Sequence, residues 1–348
     1  MEPTTSFSLT GAPATTAPVE EESRRASDRG VWQHLSGDLD GARAAYLAAL
    51  ERDPGNPTAH NNLGFLLAQQ GDLEGAVAHY ERALEIEPGK SMALANLGLA
   101  RAMLGDSESA IDALARAVEA DGRNVLAWDN LAKLLLREGR LADAESCWRR
   151  AIEVAPSRPD LHVALGTAVA GQQRLKEAAE ILQRAVTLDA GSARGWEQLG
   201  VVLFLRQDLG SAAEALERAV AIDPSAISAR SHLSLVQAAR GDRRAARDEL
   251  ERILAIDPAY VGAHVDLALH AVADGQPTQA LAGLERALAL NPSHARARFH
   301  RAVILDLAGR AAEAGLALLD IASEDGNPYA DRARRCLTER MRARAGEA

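Results

Sequence analysis

From His60 the chain reads HNNLGFLLAQQGDLEGAVAHYERALEIEP, and nearly the same spelling returns 34 residues later and again beyond that. Successive frames open at Ser23, Pro57, Ser91, Val125, Pro159, Ala193, Ile227, Val261 and Ala295, and the last closes at Pro328, with no gap or insertion. A period of this length predicts stacked copies of one small supersecondary unit, each burying its apolar face on its neighbours.

The recurring residues have physical jobs. Position 20 of the frame is Ala in every copy, Ala42 through Ala314. Position 8 is small from the second frame on (Gly64, Gly98, Ala132, Gly166, Gly200, Ser234, Ala268, Ala302). Position 7 is Leu in the inner frames, Leu63 through Leu267, and position 24 is always large, from Tyr46 and Tyr80 to Trp148 and Leu318. Positions 4, 7, 8 and 11 share one helical face, and so do 20, 24 and 27. Each frame therefore predicts two antiparallel helices that cross at small residues, with bulk beside the crossing. Gly at position 15, as in Gly71 and Gly105, ends the first helix in a left-handed turn. Asp72, Asp106, Asp208 and Asp242 then stand where they cap the second. Pro near position 32, as in Pro54 and Pro88, stops it. Gln173 and Gln207 replace the turn Gly, which costs roughly 1–2 kcal/mol in a left-handed residue. This predicts either altered turns and a change of curvature near residues 170–210, or turns that tolerate Gln as they stand.

Composition agrees with a helical chain. Hydrophobic residues make up 47% but aromatics only 3%, so the apolar mass is Ala, Leu and Val beside many Glu and Arg. The length, the small-large-Pro pattern, and Trp128 and Trp196 at position 4 resemble the tetratricopeptide repeat family over about nine-tenths of the chain. That resemblance implies an all-α fold, an α-solenoid built as a right-handed superhelix of stacked antiparallel helix pairs. The expected organisation is a disordered low-complexity tail over 1–22, a nine-repeat domain over 23–328, and a capping helix over 329–348. In the last segment Tyr329, Ala333, Leu337 and Met341 form one stripe, with Arg between them.

Several function classes are excluded. A net charge of −10 leaves no broad basic footprint for nucleic acid. No run approaches eighteen apolar residues, and the Thr/Pro/Ala-rich start lacks the pattern of a secretion signal, so the expectation is a cytoplasmic protein without membrane insertion. The Ala/Arg-rich style points to a GC-rich bacterial genome. Cys147 and Cys336 read as reduced thiols. Gly89-Lys90-Ser91 lacks the earlier Gly and the preceding strand of a phosphate loop. His232, Asp266 and His300 share position 6 in successive frames, but helices 8–10 Å apart do not bring three ligands to one ion. No base, nucleophile and orienting group can be assembled, so neither catalysis nor a cofactor or metal is expected.

The expected working surface is the groove lined by the first helices. Position 6 carries Asn62, Asn96 and Asn130, then Ala164 and Gln198. A carboxamide row offers donors and acceptors to any peptide backbone, and it resembles the asparagine ladder of the O-GlcNAc transferase repeat domain. The carboxylate clamp of chaperone-binding relatives is absent, since Thr58 and Leu126 stand where its cations belong. Lys133 and Arg137 are placed to meet one acidic group, while Phe65, Leu99, Met103 and Val201 offer apolar contacts. The reading is a non-catalytic scaffold or adaptor that binds a peptide or helix of another protein. The alternatives are a regulatory or assembly subunit of one enzyme complex, or a scaffold whose copies join through the solenoid ends. The tail is read first as disordered, and the lesser alternative is that its Phe7 and Leu9 lie in the groove and block it.

Overall fold

The computed structural model describes residues 16–346, with side-chain surroundings from residue 18 to 342. Helices and short turns account for these residues, and there is no strand among them. The chain divides at Gln173, inside the turn of the fifth frame, into two units.

The first unit holds α1 (Thr16–Leu35), α2 (Leu39–Arg52), α3 (Pro57–Gln69), α4 (Leu73–Ile86), α5 (Ser91–Met103), α6 (Ser107–Ala120), α7 (Val125–Arg137), α8 (Leu141–Val154) and α9 (Pro159–Gly171). Within it, α1 pairs with α2, α3 with α4, α5 with α6 and α7 with α8, and the first helices lie side by side. The second unit holds α10 (Leu175–Leu188), α11 (Ala193–Leu205), α12 (Leu209–Ile222), α13 (Ile227–Ala239), α14 (Arg243–Ile256), α15 (Val261–Ala273), α16 (Pro277–Leu290), α17 (Ala295–Leu307), α18 (Ala311–Ser323) and α19 (Ala330–Gly346). It repeats the hairpin pairing from α11–α12 to α17–α18. The architecture is an all-α solenoid.

The frame positions act as their chemistry requires. Ala110 at position 20 is fully buried, and a Cβ added to Gly98 would lie 2.6 Å from Leu114 Cγ and 3.0 Å from the Ala110 carbonyl. The crossing in that hairpin is closed by the absence of a side chain. The Asp72 carboxylate accepts from Gly75 N–H at 2.9 Å, and Asp38, Asp106, Asp208 and Asp242 cap their helices in the same way. Such caps contribute about 1 kcal/mol each.

Two expectations need correction. Gln173 and Gln207 adopt the left-handed conformation themselves, at φ 63° and 65°, beside Gly71 at 86°. The Gln207 turn keeps the bonds of the Gly71 turn: Asp208 N–H reaches Leu203 O at 3.0 Å, as Asp72 N–H reaches Leu67 O at 3.0 Å. The Gln207 turn therefore tolerates the strain instead of changing shape, because α11, α12 and the Asp208 cap over-determine it. Residues 16–22, expected to belong to the tail, are helical. Helix α1 begins at Thr16, with Pro18 in its first turn, where a missing N–H costs nothing, and Glu21 paired to Arg25 at 2.8 Å one turn on. Phe7 and Leu9 lie outside the described residues.

At the other end α19 packs on α17 and α18. Ala333 is fully buried, and Tyr329, Cys336 and Leu337 lie against Phe299, Leu318 and Ile321. The apolar stripe stops at Leu337, since Met341 is 65% exposed and lines an open cleft with Leu316 and Leu319.

Position 4 does work that periodicity alone conceals. Trp128 Nε1 donates to the Gly122 carbonyl at 2.9 Å, Trp196 Nε1 to Ala190 at 3.0 Å, Arg230 Nε to Pro224 at 2.9 Å and His264 Nε2 to Pro258 at 3.0 Å. Each ties its helix to the turn six residues before it. His60 Nε2 makes the same bond to Pro54 at 3.1 Å, which leaves its Nδ1 to accept from His79 Nδ1–H at 2.9 Å.

Both imidazoles of that pair are held below the usual histidine range. Burial is the main cause for each; at His60 it is opposed first by the hydrogen bond to the Pro54 carbonyl and then by Asp53 and Glu85, with Arg82 adding to the lowering, and at His79 His60 adds to it against the pull of Asp72. A lowered folded-state value means that the hairpin's stability is full above the unfolded-state value, about 6.5, and declines as pH falls through and below it. The melting temperature of the wild type is expected to drop more between pH 7.5 and 5.5 than that of the His60→Leu/His79→Leu variant. Equal drops would show that the pair is not the pH-sensitive element.

Candidate functional site

In the first unit α5 and α7 enclose a cleft of about 380 Å³ lined by Leu99, Ala102, Met103, Asn130, Lys133, Leu134 and Arg137. Five of these (Leu99, Met103, Asn130, Lys133 and Arg137) are residues the sequence marks for the groove, and the fold gathers them because positions 9 and 13 of one first helix face positions 6, 9 and 13 of the next. Met103 is 68% exposed, while Leu134 is buried at the floor. Asn62, Phe65 and Asn96 lie on the neighbouring turns of α3 and α5. Phe65 is 45% exposed, and its ring meets His34 at 5.6 Å. Gln198 and Val201 belong to the other unit, both half-buried on α11.

The amide row is not a set of equivalent free groups. Asn96 Nδ2 donates to Asn61 Oδ1 at 3.0 Å, and Asn61 Nδ2 donates to Asn62 Oδ1 at 3.2 Å. Asn61, at position 5 and buried, is the acceptor that the position 6 reading overlooks. The same step of 35 residues separates Ala95 from Asn130. Ala95 has no side-chain acceptor, and Asn130 Nδ2 is shielded without a partner among the described residues. Asn61→Ala is therefore expected to cost about 1–3 kcal/mol, because it strips the Asn96 amide of its acceptor. Asn130→Ala should stay within about 0.5 kcal/mol of wild type. Urea denaturation of the two variants checks this, and equal losses would contradict the network.

The two cations also differ. Lys133 Nζ lies 2.7 Å from Asp129 Oδ2, and the other Asp129 oxygen accepts from Trp148 Nε1 at 2.9 Å. Asp129 is buried and was not legible as a site residue, although position 5 carries Asn61, Asp129 and Glu197 in alternate frames. Among the described residues Arg137 reaches only the Ser107 hydroxyl, at 3.4 Å, and the Glu138 carboxylate, at 4.0 Å, and it stays largely exposed. It is the better placed of the two to receive an incoming carboxylate.

The position 6 residues of the second unit are engaged separately. His232 Nδ1 lies 3.2 Å from Glu197, Asp266 is bonded to Arg296 at 2.6 Å, and the His300 ring lies against Phe299. No cluster of three metal-ligating side chains occurs among the described residues. Cys147 is buried, which pushes its thiol up to about 11, the opposite of an activated nucleophile. No helix among the described residues is long and apolar enough to cross a membrane.

Comparison with known proteins agrees with this architecture. A family model described as the cilia and flagella-associated protein 70 C-terminal domain matches residues 14–223, and tetratricopeptide repeat models match 227–252 and 265–330. The chain belongs to the tetratricopeptide repeat family. No curated protein sequence matches it significantly. Among solved structures it is similar to PilF of Pseudomonas aeruginosa, at 17% identity and a TM-score of 0.55, over 64% of this chain and 99% of that one. It is also similar to a tetratricopeptide repeat protein from Parabacteroides merdae, at 14% identity and a TM-score of 0.56, over 72% and 98%. A third likeness is to the Cut9–Hcn1 hetero-tetramer of the APC/C, at 19% identity and a TM-score of 0.54, over 77% and 52%. At these identities the likeness is one of fold. The fold is that of a protein–protein interaction scaffold, and proteins of this repeat family are in general non-catalytic.

Proposed function

We propose that the chain is a cytoplasmic, non-catalytic adaptor whose α5–α7 cleft takes a segment of another protein, extended or helical, that presents an apolar side chain next to a carboxylate. The observation that carries this reading is the cleft itself: exposed Met103 and half-buried Leu99 on one wall, Arg137 on the other, and buried Leu134 beneath. The apolar contact supplies affinity, roughly 25 cal/mol per Å² of surface covered. The exposed arginine supplies register and on-rate. Lys133, with Asp129 beside it, adds little net charge.

The test is affinity capture with wild type, Met103→Glu/Arg137→Glu and Asn62→Ala/Asn96→Ala/Asn130→Ala, with folding checked by circular dichroism. A partner retained by wild type and lost by the first variant supports the cleft. Loss only in the amide variant would move the site to the asparagine row. Retention by both would place binding on another surface. Association of copies is a separate reading, favoured by the exposure of Trp32 and Leu35 on α1. Light scattering that rises with protein concentration, and falls in Trp32→Glu, distinguishes it.

A further inference from the structure

Positions 3, 7 and 10 form the face by which each first helix stacks on the frame before it. In the eighth frame Ala263 and Leu267 pack with Leu250 and Ile253 of α14, and in the seventh Val236 packs with Ala213 and Leu216 of α12. In the second to seventh frames all three positions are buried, as at Ala59, Leu63 and Leu66 of α3. Helix α1 has Arg25, Arg29 and Trp32 there, and all three are exposed. Two arginines suit a helix that faces water. Trp32 does not: it is 71% exposed, with Val31 and Leu35 exposed beside it. Trp and Arg are among the residue types that carry most of the energy at protein interfaces.

The order of residues along α1 says what fits this face. Its exposed side chains are complementary to themselves when read backwards. Val19 and Trp32, Glu20 and Val31, and Glu22 and Arg29 stand symmetrically about the point between Arg25 and Ala26. A second α1, laid antiparallel on a two-fold axis through that point, brings Val19 of each copy to Trp32 of the other and Glu22 of each to Arg29 of the other. Glu22 and Arg29 lie two turns apart on one edge of the helix, and Arg24 and Asp28 lie one turn apart on the other edge, where they meet in the same way. The charges this needs are available. Arg29 has no acidic partner among the described residues, and Glu22 approaches Arg52 no closer than 3.7 Å. Arg25, nearest the axis, has Glu21 as its own carboxylate at 2.8 Å, which offsets the meeting of two like charges.

We infer that the chain forms a two-fold symmetric dimer through α1. The contact is isologous, so every side-chain pair occurs twice and association closes at two copies. One pair of helices covers less than the roughly 800 Å² per partner of a standard interface, so the dimer is a weak one. This inference rests on the reading that copies associate, and adds that they do so in closed pairs. It is independent of the α5–α7 cleft.

The experiment is sedimentation equilibrium of the full chain, with folding checked by circular dichroism. Wild type is expected to pass from monomer to dimer as concentration rises and to go no further. Glu22→Arg and Arg29→Glu each turn two attractive pairs into two repulsive ones, and each should weaken the dimer about tenfold. Trp32→Glu should abolish it. Glu22→Arg/Arg29→Glu restores both pairs with reversed sign and should dimerise as wild type does. A mixture of the two single variants should form the heterodimer in preference to either homodimer, because both of its pairs are attractive again. A wild type that stays monomeric would overturn the association reading and this inference together. Growth beyond the dimer, or single variants rescued neither by the double variant nor by mixing, would leave association standing and overturn the two-fold α1 contact.

Discussion

Glu249→Ala is expected to lower stability by about 3–5 kcal/mol, the usual loss when one member of a buried ion pair is removed. Glu249 and Arg230 are 5% and 8% exposed and approach to 2.5 Å between α14 and α13. Without the carboxylate, Arg230 keeps only its bond to the Pro224 carbonyl, at 2.9 Å. The penalty is the stranded charge, not the lost attraction. Arg230→Met/Glu249→Leu should therefore recover most of the loss, since replacing the whole pair by apolar residues of similar volume is often neutral. Amide exchange in α13 and α14 is the right readout, because repeat arrays need not unfold in one step. A single variant that loses less than the double variant would contradict the argument.

Trp148→Ala is expected to cost about 3–5 kcal/mol and to weaken binding at the α5–α7 cleft as well. Trp148 is 1% exposed, so its removal leaves a cavity between α7 and α8. It also donates Nε1 to Asp129 at 2.9 Å, and Asp129 holds Lys133 at the cleft's edge. Trp148→Phe separates the two roles. It keeps most of the bulk and loses the bond to a carboxylate, a difference of about 1.5–3 kcal/mol. Exchange protection of α7 and α8 checks the stability part, and affinity for the captured partner checks the second. A Trp148→Ala protein with unchanged protection in α7 would show that the hairpin does not depend on this residue.

Hairpins, caps, turns and the small crossing residues were legible in the sequence because they are local and are written in every copy. Position 20 is Ala throughout, and Ala110 is fully buried where two backbones meet. Five of the seven cleft-lining residues were legible for the same reason: periodicity states which residues share a face. What it cannot state is which neighbour satisfies a polar group across the stack. Asn62, Asn96 and Asn130 look alike as letters, yet Asn61 stands 35 residues before Asn96 and Ala95 stands 35 before Asn130, so one amide is engaged and the other is left over. Lys133 and Arg137 look like a pair until Asp129 appears beneath the first. Gln173 and Gln207 looked like breaks in the turn, and only the surrounding helices show that the turn holds them in place. The linear pattern determined the repeating backbone, because its forces act within one turn of helix or between the two helices of one hairpin. The tertiary structure alone decided which charges and amides remain available to a ligand, because that depends on a side chain brought near from another repeat.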